Sequence, residues 1–455
     1  MATGGDGAAG GMVGGEPRAI PEAGPGPAPG RAGVLVERLL PAVLSAPGYR
    51  RLWYYALLFF HANTFETVVA GWAVLVLTGS PFAVGLVGFC RALPMFVLGL
   101  VLSTVAERFP GGAVLLGVQA TSFLGAAALA ALFTFGSPRL WQICLLTGLL
   151  GCAFACDFSV RRNLIARLIA PERFASAMSL ETMTRLGCKI GATAFGGLLL
   201  ALDGPRLAYW WLAAVYLAGL GLTRGLRRHL AGAQVAPPAP TISTVALIRR
   251  GWSAAVRTPV VQAVLLVTVV MNLLVFPYQQ LIAVIARDVI GVGSARMGIL
   301  AGIDGVGALL VAGLLTVRAR PGRLGLIFLI GALSQCVLIA ILTSLHSFAL
   351  ALAVQIVVGA CSACFGSMQP AIIMGSMPPE LRARALGLLA MAIGVGPFGM
   401  LLAGALSAIL GPSRTLAGMS LLALVLILGF LARNRTLLVE LETAQDRVGT
   451  GGDAT

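Results

Sequence analysis

The sequence predicts an all-α membrane protein of twelve transmembrane helices in two pseudo-symmetric six-helix bundles, and three observations predict it. Of its 455 residues, 58% are hydrophobic and only 11% charged, too few polar side chains to clothe the cores a soluble chain of this length would form. Apolar runs of about 20 residues, the length a helix needs to cross the bilayer hydrocarbon, fill most of the chain. Basic residues collect in alternate connections between those runs. A water-soluble enzyme is disfavoured by the first observation alone.

In lipid only a helix or a closed barrel satisfies its own backbone hydrogen bonds. The runs therefore read as helices near 52–76, 81–105, 112–135, 140–160, 174–202 and 206–224 in the first half. After a polar break, six more follow near 258–286, 293–317, 322–344, 347–369, 382–409 and 413–433. Residues 1–50, rich in Gly, Pro and Ala with no signal peptide, are expected to be a disordered tail. The bundles are expected at 51–224 and 258–434, joined by a linker at 225–257 that contains AGAQVAPPAP, with a second tail at 435–455.

Short loops rich in Lys and Arg stay cytoplasmic. With both termini inside, 24 of the 32 basic residues fall in the tails and cytoplasmic loops. The opposite loops hold Arg139, Arg206, Arg287, Arg296 and Arg414, and Arg91, Arg185 and Lys189 lie within spans. The net charge of +15 is thus accounted for by topology in an inner (plasma) membrane, with lipid contact following from it. No single basic patch with interleaved aromatics calls for a nucleic-acid partner.

The halves repeat. A shift of 208 residues lays Pro171-Glu172 on Pro379-Glu380, Ala177 on Ala385, Leu180 on Leu388 and Gly196 on Gly404. A shift of 213 lays Gly85 on Gly298 and Arg91 on Asp304. Parallel repeats about an axis along the membrane normal are used by secondary transporters, with the substrate site between the halves.

The chain resembles twelve-helix major facilitator superfamily transporters, in the branch of bacterial drug and siderophore exporters that includes the enterobactin exporter. The resemblance runs over residues 50 to 433 and is carried by YRRLW opening span one, NLLVFPYQQLIAVIARDVIG in span seven, and MPPELRARALGLL leading into GVGPFGMLLAGAL in span eleven. It implies alternating-access export of small amphiphilic molecules, a coupling ion, most simply H⁺, and a single chain as the working unit. Two departures stand out. The loop after span two keeps its acid-base pair as Glu107-Arg108 but has Gly111 and Gly112 where basic residues follow in the family, and Gly191-Ala-Thr-Ala-Phe-Gly196-Gly197 of span five lacks the proline of the antiporter motif.

Ionisable groups near the bilayer centre cost about 2.5–3.5 kcal/mol on insertion scales, so they face the bundle interior and pair. Six candidates stand out: Glu66, Arg91, Glu181, Arg185, Lys189 and Asp304, three acids and three bases. Glu66 and Arg91 lie at matching depth and can meet. Glu181, Arg185 and Lys189, at i, i+4 and i+8, stack along one helix face, and Asp304 is expected to bridge to Lys189 or Arg185 across the halves. These groups, with Glu107 and Arg108, are the candidates for proton coupling and gating. Glu107 has two expected partners, Arg384 or the start of span eleven, where helix N–H groups favour an anion. Asp157 and Arg161, i and i+4 at a helix end, read as structural.

Asn63, Asn272, Tyr278, Gln279, Gln280 and Gln355 are the candidate substrate contacts, against the alternative of helix-to-helix hydrogen bonding. His61 and the eight cysteines read as packing residues. Gly302-x-x-Gly305-x-Gly307 reads as close helix packing rather than a phosphate loop, and Cys361-x-x-Cys364 lacks the second pair a zinc site needs. The only lysine is Lys189, so no Walker loop exists for ATP. No enzyme, cofactor or metal is expected. A non-transporting sensor or scaffold, or a lipid scramblase or flippase, on the same fold remains as the alternative function.

Overall fold

The computed structural model describes residues 44–106, 109–230, 258–318 and 324–434. They form twelve helices and, among the described residues, no strand. In the first half these are α1 (Pro47–Thr78), α2 (Pro81–Ala106), α3 (Gly111–Phe135), α4 (Leu140–Leu168) and a continuous stretch Pro171–Leu230. That stretch is two helices, α5 (171–202) and α6 (205–230), because Asp203 and Gly204 leave the helical region, Gly204 at φ 68°. A left-handed glycine followed by Pro205 ends one helix and starts the next, and Arg206 Nη2 holds Asp203 Oδ2 at 2.7 Å across the corner.

The second half holds α7 (259–290), α8 (294–318), α9 (Leu324–Leu342), α10 (Phe348–Ser376), α11 (379–410) and α12 (Pro412–Arg433). Prolines open α1, α7, α11 and α12, where a missing N–H costs no helical bond. Ten helical stretches are long and apolar enough to cross a membrane. Ser176–Gly225 among them contains both α5 and the start of α6, and the apolar Pro81–Val97 of α2 is shorter.

The helices overrun the expected spans mainly at one face. α1 begins at Pro47, α4 runs on to Leu168 and α10 to Ser376. An even number of crossings brings residues 44 and 434 to this same face, the terminal face.

α7 is the least regular element. Its α-helix gives way to a wider π turn at Met271–Val275, a 3₁₀ turn at Phe276–Gln279 and a second π turn at Ile285–Ile290. Pro277 is the cause, since its ring displaces the carbonyl four residues earlier and it offers no N–H. The displaced Leu273 carbonyl lies against Gly399 of α11, where a Cβ would come within 2.5 Å of its oxygen.

Two seams join the halves, and both are built on glycine. In the first, α2 crosses α11 at Gly85 and Gly404, where a Cβ on either residue would lie 2.9 Å from the other's Cα. Phe398 of α11 then inserts between Phe89 and Phe96 of α2, with ring centroids at 5.8 and 5.5 Å. In the second, α5 crosses α8 at Gly197 and Gly298, each Cβ position 2.8 Å from the opposite Cα. Without interhelical hydrophobic drive in lipid, such close approach is what holds helices together.

Each seam begins near the face opposite the chain ends. Arg287 Nη1 of α7 adds a 3.0 Å bond to the Leu75 oxygen of α1 at that same end. On the terminal side, by contrast, the arm of α11 at Pro379–Ile393 packs on α7 and α10 of its own half. Among the described residues the halves are therefore sealed away from the termini and splayed toward them.

Glycine 302, 305 and 307 serve two neighbours. Gly302 and Gly305 face α5 at Lys189–Ile190, and Gly307 faces Ile356 of α10. Cys361 and Cys364 flank Gly331 where α9 crosses α10. Gly298→Val should lower the unfolding midpoint in detergent, since overpacking costs about 1–3 kcal/mol. Gly313→Ala, at a site with no neighbour within 4 Å, should leave the midpoint unchanged or raise it.

Candidate functional site

Three groups of charges are buried where the helices converge. In the first, Glu66 of α1 is wholly buried and Arg91 of α2 reaches it, Nε to Oε2, at 2.6 Å. The guanidinium also donates from Nη2 to the Asn63 backbone oxygen at 3.0 Å and to Asn63 Oδ1 at 2.6 Å, and from Nε to Thr67 Oγ1 at 3.2 Å. The helical spacing of Asn63, Glu66 and Thr67 makes this cradle, because three- and four-residue steps share a face. Gly151 of α4 lets α2 come close at Arg91, whose carbonyl carbon would lie 3.0 Å from a Cβ there. Neither Glu66 oxygen has a well-aligned hydrogen bond, so attraction of charge, rather than hydrogen-bond geometry, holds the carboxylate.

In the second, Lys189 Nζ of α5 lies 2.6 Å from Asp304 Oδ2 of α8. This pair crosses between the halves at the end of the glycine seam nearer the terminal face. Lys189 keeps a quarter of its side-chain surface open, whereas Asp304 is buried and its Oδ1 has no partner.

The third group holds four residues from three helices. Arg161 of α4 donates from Nε to Asp157 Oδ2 at 2.9 Å and from Nη1 to Glu181 Oε1 of α5. Tyr55 of α1 donates to Asp157 Oδ1 at 2.8 Å, and the guanidinium carbon lies 4.4 Å from the Phe60 ring centroid. Asp157, Arg161 and Tyr55 are completely buried.

The arrangement is one of positioned charges rather than reacting groups. Among the described residues no set of three His, Cys, Asp or Glu side chains could hold a metal. Two ion pairs and one cluster centred on Arg161 are thus held in the interior, and Lys189–Asp304 joins the two halves. Residues 52–398 match the family model of the Major Facilitator Superfamily.

The chain belongs to the Major Facilitator Superfamily.

Solved transporters share this superfamily fold. A bacterial homologue of the human lysosomal transporter Spinster, inward-facing and unoccupied, superposes with a TM-score of 0.62 at 15% identity over 88% of this chain and 97% of its own. A bacterial homologue of the iron transporter ferroportin, inward-facing, gives 0.64 at 14% over 87% and 99%. A peptide transporter of the POT type in complex with sulfate gives 0.65 at 12% over 88% and 95%. No curated protein matches the sequence.

Set against its sequence, this superfamily member brings together Glu66 with Arg91 and Lys189 with Asp304. It does not bring the Glu181, Arg185 and Lys189 stripe to one partner. Glu181 turns to Arg161, and Arg185 is exposed with no ion pair among the described residues. Asp157 and Arg161, the i, i+4 pair read as structural, are paired and buried and so add one more acid and one more base to the interior set. The signal for them lay in α4 itself, where Leu164 and Ile165 continue the buried face beyond residue 160. The helix runs on, and Arg161 turns inward rather than entering a loop. Glu107 and Arg108 lie outside the described residues.

Three of the six candidate substrate contacts are engaged by the protein. Asn63 serves Arg91, and Asn272 Nδ2 donates to the Thr268 oxygen of its own helix at 2.9 Å. Gln280 lies over Gly88 and donates from Nε2 to the Val84 oxygen at 3.2 Å, a strut between the halves. Tyr278 and Gln355 are buried, and the Tyr278 hydroxyl and Gln355 Oε1 lack partners. Gln279 alone is exposed. Asn63, Asn272 and Gln280 thus follow the helix-bonding alternative, since polar groups at membrane depth are drawn to the nearest backbone or charge.

Arg161→Met should destabilise the protein more than Asp157→Asn, since it leaves two buried carboxylates unpaired and removing one partner of a buried pair costs about 3–5 kcal/mol. Thermal unfolding of the two purified variants measures the difference.

Proposed function

We propose that this protein exports small amphiphilic molecules, such as drugs, siderophores or secondary metabolites, by alternating access driven by a proton gradient. It acts as a single chain in the inner membrane with both termini cytoplasmic. Membership of a transporter superfamily supports secondary transport, and the placing of arginines in the loops supports the orientation. On that orientation the splayed face is the cytoplasmic one, in keeping with the inward-facing states of the Spinster and ferroportin homologues.

One observation carries the coupling: the Lys189–Asp304 pair is the ionic contact at the edge of a seam that must part when the halves rock. Protonating Asp304 removes one charge and leaves the other without its partner, so the sealed state loses stability relative to the opposite one. Proton entry from outside and substrate exit are then alternative occupancies of the two conformations. The Glu66–Arg91 pair, inside one half, is a second place where a proton can be exchanged. Glu107 and Arg108 act in this reading as a latch at the cytoplasmic end of α2.

The test is flux of candidate compounds in sealed liposomes under a pH gradient. Asp304→Asn should slow gradient-driven flux at least about tenfold, on the scale of 1.4 kcal/mol of lost coupling. The exchange Lys189→Asp with Asp304→Lys should recover part of it. Full-rate flux by Asp304→Asn would remove the pair from the mechanism. Glu66→Gln should shift the pH profile of transport, and an unchanged profile takes Glu66 out of proton coupling. Binding without flux would favour a sensor, and movement of labelled lipid without a soluble substrate would favour a scramblase.

A further inference from the structure

The charges of the interior and of the splayed side do not balance. Glu66 with Arg91 is neutral, and so is Lys189 with Asp304. The remaining cluster holds two acids, Asp157 and Glu181, against three arginines, Arg161, Arg162 and Arg185. Both acids are engaged by Arg161. Arg162 and Arg185 are exposed and form no ion pair among the described residues.

Arg185 is placed by its neighbours on α5. One turn toward the terminal face Glu181 reaches α4, and one turn the other way Lys189 reaches α8 of the opposite half. A residue between these two on the same helix face looks into the space between the halves. Arg162, on α4 beside Arg161, stands with its guanidinium carbon 3.9 Å from the Phe158 ring centroid and within the electrostatic reach of Arg185 and Glu181. Two guanidiniums and an aromatic face thus share the wall of the splayed side, with Glu181, whose Oε2 has no hydrogen-bond partner, as the acid within their reach.

We infer that Arg185 and Arg162 form an oxyanion-binding subsite, which takes the carboxylate, sulfonate or phosphate group of an amphiphilic ligand while Phe158 covers part of its apolar body. Arginine suits this task because its planar fork binds two oxygens at once and sheds water more readily than an ammonium group. The subsite rests on the transport reading and names the substrate class within it. It also links occupancy to movement. Closing the terminal side strips water from both arginines, and the positive charge that the two acids leave unanswered opposes that step. A bound oxyanion neutralises them and permits it.

The test uses the full chain in phosphatidylcholine nanodiscs, titrated with naphthalene-1-sulfonate and with the size-matched cation 1-naphthylmethylammonium. The sulfonate should bind more tightly than the cation. Arg185→Gln should weaken sulfonate binding about tenfold, equivalent to 1.4 kcal/mol, with cation binding unchanged, and Arg185→Lys should recover part of the loss. Arg185 forms no ion pair among the described residues, so the unfolding midpoint of the glutamine variant should stay close to the wild-type value.

Wild-type affinity in the double variant Arg162→Gln with Arg185→Gln would overturn the inference, as would equal binding of the two probes or no sulfonate binding by the wild type. Repeating the titration with phosphatidylglycerol in the disc separates the sources of the anion. Arg185-dependent competition by the lipid identifies a headgroup, its absence identifies a soluble ligand, and each supports the subsite. Arg185-dependent binding with no flux in liposomes overturns transport and keeps the subsite. Flux with Arg185-independent binding does the reverse.

Discussion

A charge in hydrocarbon needs an opposite charge beside it, and in this protein the search for those partners decides how the helices face one another. Arg161 illustrates the constraint most fully. It draws in Asp157 from its own helix, Glu181 from α5 and, through Asp157, the Tyr55 hydroxyl of α1, so three helices of one half are tied at a single side chain. Because each group is desolvated only in the company of the others, the cluster is rigid, and a rigid half is what a rocking mechanism requires.

Glycine supplies the complementary condition. Where ion pairs set which faces meet, Gly85 with Gly404 and Gly197 with Gly298 set how closely. The repeat explains why there are two such crossings: Gly85 and Gly298 are equivalent positions in the two halves, and Gly404 and Gly196 are equivalent under the other shift. In the seam it is Gly197, the neighbour of Gly196, that touches α8, while Gly196 faces Phe65 of α1. The symmetry of the crossings is thus kept in position and relaxed by one residue in register.

The same repeat breaks its symmetry in charge. Arg91 and Asp304 occupy equivalent places, yet Arg91 pairs inside its half and Asp304 pairs across the boundary. Only a contact of the second kind changes when the halves move relative to one another. The two halves therefore differ in charge, one carrying a closed internal network and the other offering an acid to its partner.

Much of this was readable from the residues alone. Apolar runs of membrane length, arginine placement and the internal repeat determined twelve helices in two halves, because a backbone in lipid has no alternative to the helix and a long apolar run has no alternative to lipid. Glu66 with Arg91 was also legible, since both are isolated charges at matching depth on consecutive helices. Three things were decided only in three dimensions. The reach of Arg161 to Glu181 was hidden because the i, i+4 pair with Asp157 lies on one helix while the second acid comes from another. The commitment of Gln280 and Asn63 was hidden because it depends on Gly88 and Arg91, residues of another helix. The isolation of Arg185 was hidden because i, i+4 spacing places three charges on one face without saying which neighbouring helix each will reach. Hydrophobicity and periodicity are properties of the chain, whereas pairing at a distance is a property of how helices pack.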